Sequence, residues 1–489
     1  MERMNAAKAA ELAESKLISG PAENEIERVE RDSREAGPES IFIALKGEKN
    51  DANDYVSSAY ENGCRVFLIS SEKAAGQLAE HDDASVIMAE DTLKAMQVMA
   101  KNYLAQFDLL KVAVTGSTGK TTTKDMLNCI FSYKYKTVCN FANYNNHIGV
   151  PLTVFNVDST TEVGIFEMGM NHMGEIEVLA DIVRPDIACI TNIGVSHIGL
   201  LGSRDNIMKA KMEITTFMDD KCTLVYNADD DKLAQLADMD TPYKKVAAGI
   251  DADLDGVVLL PLGSGENIVA YSPTEAANEG VTFMLRYNGE NIMFYMPLQG
   301  LHNASDAAIA VGAAVTAGMD IMDCSEALLH IKLTGGRLTV RISGGVKVFD
   351  DTYNASPDAV KAALNVLLDD KSGARRVAVL ADMLELGDRS DEYHREIGKY
   401  AAERGVDLIC TVGENAGSIA DGAEEADTAG IKDVKIMRFK DCDDFTAHAD
   451  DIIKRGDVVL VKGSHSMHME DAVSYLLKLG SELGQEEAK

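Results

Sequence analysis

No stretch of this sequence reaches the ~18 consecutive apolar residues of a membrane-spanning helix, so membrane insertion is not expected. The opening residues, MERMNAAKAAELAESK, lack the apolar core of a secretion signal. Basic residues are in deficit: 47 Lys and Arg stand against 79 Asp and Glu, for a net charge of −32. With no local basic stripe to offset that field, nucleic acid is not an expected partner. Cys-x-x-Cys pairs are missing as well. The eight cysteines, at 64, 129, 139, 189, 222, 324, 410 and 442, are dispersed, which excludes a cysteine metal cluster and implies a reduced, cytoplasmic protein. Repeats and low-complexity tracts are absent too.

What is present is ordinary globular material, 46% apolar and 26% charged, in a chain of 489 residues. At roughly 150 residues per domain this predicts two to four domains. Three α/β units are expected. Residues 1–105 begin with a polar helical stretch and continue with short β-like runs at 41–45 and 66–69. Residues 106–332 carry apolar runs at 111–115, 163–168, 187–191 and 223–226, separated by helical patterns, the signature of a parallel sheet. A Gly-rich interval, 249–289, predicts short strands and hairpins before a helix at 304–317. Residues 333–489 alternate again, with runs at 346–349, 377–380, 408–412, 434–439 and 458–461, as in a Rossmann-like sheet. The tail, Gln485-Glu486-Glu487, is expected to fray.

Between the first central run and a helix-compatible stretch, 120–133, lies Thr115-Gly116-Ser117-Thr118-Gly119-Lys120-Thr121-Thr122. Backbone N–H groups at a strand-to-helix turn, with the positive end of the helix dipole, bind phosphate oxygens. Lys120 adds a point charge there, and Thr121 is placed to hold Mg²⁺. The common phosphate loop has four residues between its glycines, which would put Gly at 114. Val114 stands there instead, and this shorter form resembles the ATP-dependent amide ligases rather than GTPase-like or kinase-like proteins.

Glu167 ends the run 163–166, at the carboxyl edge of a parallel sheet, where ligands bind. It is either a metal-holding carboxylate or a capping or solvated glutamate. His197 follows the run 187–191 in a loop, a position equally open to a surface histidine. Lys211 is more telling. With Ile207, Ile214 and Met218 it is spaced four, three and four along one helical face, which puts a lysine in an apolar stripe. Burial would depress its pKa and leave an amine able to take up carbon dioxide as an anionic carbamate; snorkelling to solvent is the alternative.

Taken in order, these segments resemble the Mur ligase family over nearly the whole chain. The match runs through Asp32-Ser33-Arg34, 42–47, 115–121, 143–151, Glu167-Met168-Gly169-Met170-Asn171, Asn192-Ile193-Gly194 with His197, and His302-Asn303. It continues through Gly336-Arg337, Asp350-Asp351-Thr352-Tyr353-Asn354-Ala355-Ser356-Pro357, Asp382-Met383-Leu384-Glu385-Leu386-Gly387 and Lys462-Gly463-Ser464. The resemblance implies an ATP- and Mg²⁺-dependent peptide ligase, a monomer of three domains, and the substrates UDP-N-acetylmuramoyl-tripeptide and D-alanyl-D-alanine.

It also implies roles. The loop 115–122 with Lys120 would contact the ATP phosphates, Thr121 and Glu167 would hold one Mg²⁺, and His197 with carbamoylated Lys211 would serve a second. Asn303 would face adenine, Arg337 the phosphates and Asp351 the ribose. Ser33 and Arg34 would bind the UDP-sugar, while Asn145, Asn146 and Asn354 would line the substrate site. The sequence departs from the family pattern in four places: Ala52-Asn53, Met212, Asp306 and His465. None removes a group assigned to the chemistry. A third domain moving as a rigid body, with hinges near 105 and 333, is expected to close the site. A ligase for other substrates, such as folate polyglutamate, and a non-enzymatic nucleotide switch are the competing readings.

Overall fold

Strand Leu110–Thr115 is apolar in consecutive positions because both its faces are covered. Val112 and Val114 enter one core with the helices Lys120–Ser132 and Leu301–Thr316. Ala113, on the opposite face, joins a second core with Ile176 and Leu179 of helix Glu175–Val183. The strand pairs in parallel with Val163–Glu167 on one side and Ile187–Ile190 on the other.

These belong to a nine-stranded sheet. Its parallel part runs outward through Thr137–Cys139 on one flank and through Thr223–Asn227, Lys244–Gly249 and Gly256–Leu260 on the other. Val281–Tyr287 and Glu290–Met296 complete it as an antiparallel pair, in keeping with the short strands expected of the Gly-rich interval. The computed structural model describes residues 1–249, 256–260, 280–287, 290–370, 372, 374–428 and 434–486, so the rest of that interval lies outside the described residues.

The amino-terminal residues form a five-stranded sheet in the order Lys16–Ser19, Ser85–Met88, Val66–Ile69, Ser40–Ile43 and Arg28–Glu30, parallel except at the first pairing. After residue 333 a six-stranded sheet follows. Antiparallel Thr339–Ser343 is succeeded by the parallel strands Val346–Asp351, Val458–Lys462, Arg376–Ala381, Leu408–Val412 and Lys435–Phe439. This is the mixed α/β architecture expected.

Two local expectations need correcting. Helix Arg204–Met212 tightens to a 3₁₀ turn at Glu213–Thr215 instead of running on to 217, although Ile207, Lys211, Ile214 and Met218 are all buried as the spacing requires. The tail does not fray at 485: helix Met469–Glu486 carries on through it, and residue 487 lies outside the described residues. The six-stranded sheet buries Val473, Leu476 and Leu479 of this helix.

The sheets meet along two seams of different kinds. Helix Thr92–Leu104 of the first region shares one apolar core with the central sheet. There the Tyr103 and Phe155 rings lie 5.7 Å apart, and the Tyr103 hydroxyl donates to the Val157 carbonyl at 2.7 Å. The six-stranded sheet has cores of its own and meets the central one across a cleft.

Candidate active site

The phosphate loop leaves the carboxyl end of Leu110–Thr115 through two glycines that close contacts demand. A Cβ on Gly116 would lie 1.8 Å from Thr191 Oγ1, and one on Gly119 would lie 2.5 Å from Asp306 Oδ1. Gly119, at φ 79°, is the N-cap of helix Lys120–Ser132 and offers no side chain to its first turn. Those N–H groups and the helix dipole are thereby left for an anion. The loop itself is fixed by its neighbour strand: Thr118 N donates to Asn192 Oδ1 at 2.9 Å, Asn192 Nδ2 to Thr118 Oγ1 at 2.8 Å, and Gly194 N to Ser117 Oγ at 2.9 Å. Thr115 Oγ1 donates to the Met168 carbonyl at 2.8 Å.

Glu167 is neither a cap nor solvated. It is buried at the end of its strand, where Oε2 accepts from Thr121 Oγ1 and Oε1 from Asn145 Nδ2, both at 2.7 Å. Asn140 Oδ1 fixes its backbone by accepting from Glu167 N at 2.5 Å. Two hard oxygen donors thus meet beside the phosphate loop.

Lys211 does not snorkel. Its side chain is buried, and Nζ donates to the Gly116 carbonyl at 2.8 Å, sharing that oxygen with Lys120 Nζ, also at 2.8 Å. Burial lowers the Lys211 pKa far below the ordinary lysine range, and the charge of Lys120 adds to the effect. Burial also lowers Lys120, against the pull of Glu167. His197 is half-buried in the left-handed conformation, φ 63°, and its Nδ1 lies 2.5 Å from Glu385 Oε2, though off the line of a hydrogen bond.

Across the cleft stand residues of the third sheet. Asp351 and Lys462 sit side by side on adjacent strands, and the Lys462 ammonium bonds both the Asp351 carboxylate and the Asn354 carbonyl. The Arg337 guanidinium lies 4.0 Å over the Tyr353 ring, with its Nε buried and unpartnered. The cleft encloses about 610 Å³ and gathers Ser117 to Thr122, Asn145, Glu167, His197, Lys211, Asn303, Arg337, Asp351 and Asn354. Five of the sequence-derived residues lie outside the cleft lining, Thr115 and Gly116 at the start of the loop among them. Ser33 and Arg34 lie outside it too, Arg34 paired to Asp32. Asn146 caps the turn before helix Gly149–Val154, its Oδ1 accepting from Gly149 N at 2.9 Å.

Other residues of the cleft were missed as site residues. Asn192, Tyr353 and Lys462 fell inside recognised segments without a role, and Asp229 and Asp358 carried no signal of their own. Asp306, a departure from the family pattern, is buried against Gly119, and burial pushes its carboxyl well above the ordinary range. That favours a neutral group, which does not repel a phosphate. Among the described residues no three His, Cys, Asp or Glu side chains gather as a metal cluster. No described helix is long and apolar enough to cross a membrane.

Comparison with known proteins agrees with this geometry. Residues 114–314 match the Mur ligase middle domain, and residues 336–465 match the domain described as Mur ligase, glutamate ligase domain. The UDP-N-acetylmuramoyl-tripeptide--D-alanyl-D-alanine ligase of Bacillus subtilis is 32% identical over 93% of this chain and 93% of its own. That of Treponema pallidum is 33% identical over 90% of this chain and 91% of its own. Among solved structures, MurF from Acinetobacter baumannii superposes with a TM-score of 0.85 at 29% identity, covering 98% of this chain and 99% of its own. MurF from Thermotoga maritima in complex with ADP gives 0.76 at 25% identity, covering 94% and 98%.

Proposed function

The chain belongs to the Mur ligase family, and from that premise we propose that it joins D-alanyl-D-alanine to UDP-N-acetylmuramoyl-tripeptide, cleaving ATP to ADP and phosphate. The observation that carries this reading is the meeting of the phosphate loop, Glu167, Lys211 and His197 with Arg337, Asp351 and Asn354 of the third sheet in one cleft. We read the chain as three domains, 1–105, 106–332 and 333–489, acting as a cytoplasmic monomer in the supply of cell-wall precursors.

Amide formation from a free carboxylate is uphill in water, so the carboxylate must first be activated. An oxygen of the tripeptide's terminal carboxylate attacks the γ-phosphorus of ATP and ADP leaves. The amine of D-alanyl-D-alanine then attacks the acyl carbon, loses a proton, and expels phosphate with the carboxylate oxygen. Lys120 and the N–H groups of 116–122 hold the phosphates and offset charge on the transferring group. Arg337 approaches the phosphates from the third domain, Asn303 the adenine and Asp351 the ribose. Asn145 and Asn354 line the acceptor side, with Asn146 acting through the turn it holds. Ser33 and Arg34 take the UDP-sugar end.

The oxygens of Thr121 and Glu167, 2.7 Å apart, fit a magnesium ion. His197 and Lys211, both in the cleft lining, would hold a second once the neutral amine of Lys211 adds carbon dioxide with loss of a proton. Bound Mg²⁺ would neutralise charge on the phosphates. Closure of the cleft keeps water from the acyl phosphate.

Phosphate release measured with lysine- or diaminopimelate-containing tripeptide, with and without D-alanyl-D-alanine, tests the reading. Release that requires both substrates is expected. Release supported equally by other amino acids or by folates would replace the substrates proposed, and ATP binding without release under any acceptor would reduce the chain to a nucleotide switch.

A further inference from the structure

The loop 192–199 carries His197 and is gripped by the third sheet from several directions. Gly199 N donates to the Glu385 carbonyl at 3.0 Å. The fit there is tight, for a Cβ on Gly199 would lie 2.6 Å from Gly387 N. Asp358 accepts a hydrogen bond from the Val195 backbone, and Val195 and Ile198 pack against the core formed by Phe349, Leu364 and Leu386. At the centre of this grip the Glu385 carboxylate meets His197 Nδ1 at 2.5 Å.

Both residues of that contact are held in the left-handed region, His197 at φ 63° and Glu385 at φ 62°. Residues other than glycine keep such conformations only where their surroundings impose them, and they collect at functional sites. The Glu385 side chain is 48% exposed, so it is not there to fill a core. A carboxylate at this distance from Nδ1 attracts a proton to that nitrogen even without an aligned hydrogen bond, which favours the Nδ1–H tautomer and leaves Nε2 with the lone pair.

We infer that Glu385 is a positioning residue: carried on the third sheet, it sets the imidazole of His197 in the central site, so that the site is complete only when the third domain is seated. This rests on the ligase reading of the cleft. It gives the 382–387 segment a task, since Asp382 and Met383 are themselves anchored. The Asp382 carboxylate accepts from Ala416 N at 2.7 Å, and Met383 N donates to His394 Nε2 at 3.0 Å. Leu384 N donates to Ser464 Oγ at 2.9 Å. Glu385 therefore projects from a braced loop.

The test uses the full chain with Glu385→Ala and Glu385→Gln. The Ala variant keeps the backbone contact to Gly199 and loses the carboxylate; the Gln variant keeps an oxygen able to accept from Nδ1–H. For Glu385→Ala, kcat for ligation is expected to fall about 10- to 100-fold, the loss typical of removing such a partner. The KM for ATP should move by less than about twofold, because the phosphate contacts are untouched. Glu385→Gln should recover most of the rate. A second readout needs no turnover: in ¹⁵N-histidine spectra at alkaline pH, with the His197 signal identified by its loss in His197→Gln, the Nδ1–H tautomer should dominate in wild type and Glu385→Gln and give way to a mixture in Glu385→Ala.

Equal rate losses in both variants, or a His197 spectrum unchanged by Glu385→Ala, would overturn the inference. A wild-type chain that makes no product refutes the ligase reading instead, and the imidazole spectrum then decides the Glu385 contact by itself.

Discussion

The two seams of the molecule differ in what holds them. Between the first region and the central sheet, Met96, Met99, Tyr103 and Leu104 belong to the same apolar core as Phe155, Leu179 and Val183. Between the central and third sheets only Val195 and Ile198 of the loop 192–199 join the third sheet's apolar core, and the rest of the cleft holds the phosphate loop, two lysines sharing one carbonyl, a buried glutamate and the Glu385–His197 pair. An apolar seam gains from staying shut, since opening it returns hydrocarbon to water. A polar seam with ligand-sized space has water or substrate as an alternative partner, so it opens at lower cost. Of the two hinges expected from the sequence, the one near 333 suits a moving domain; the continuous core beside the one near 105 opposes motion there.

That contrast is sharpest in substitutions that separate chemistry from stability. Lys120→Ala, in the polar seam, should lower kcat/KM by about a thousandfold, because a preorganised cation facing the transferring phosphoryl group is lost. The unfolding midpoint should barely move, and a variant keeping full activity would remove the loop from the mechanism. Tyr103→Ala, in the apolar seam, should do the reverse. Loss of a buried ring costs about 3–5 kcal/mol in urea unfolding, while turnover per folded molecule stays within about twofold of wild type. A Tyr103→Ala chain as stable as wild type would mean that the first seam is not a packed core. Lys101→Ala marks the lower limit. Its ammonium lies 2.8 Å from Asp181 across the same seam, but both side chains are more than a third exposed, and such pairs are worth less than about 1 kcal/mol. A larger loss would mean that charge rather than packing holds that seam.

Much of the site was legible because its determinants are local. Strand, glycines, lysine and helix follow one another within 110–132, and Glu167 ends its own apolar run. Lys211 was recognisable as a buried lysine from three apolar neighbours on one helical face. What could not be read is non-local. Asp351 and Lys462 are 111 residues apart and meet only because their strands are neighbours in the sheet, an order no periodicity discloses. Glu385 and His197 meet only because two domains do. Asn146 carries a task the sequence did not disclose: its Oδ1 accepts from the Ile148 and Gly149 N–H groups and holds the turn before helix Gly149–Val154.

The account turns on activation of a carboxylate by phosphoryl transfer inside the polar seam. Tripeptide labelled with ¹⁸O in its terminal carboxylate, incubated with ATP, Mg²⁺ and D-alanyl-D-alanine, tests this directly by mass spectrometry of the phosphate and the peptide product. One ¹⁸O per phosphate released, with the other retained in the new amide, is the predicted result; phosphate free of label alongside product formation would contradict it.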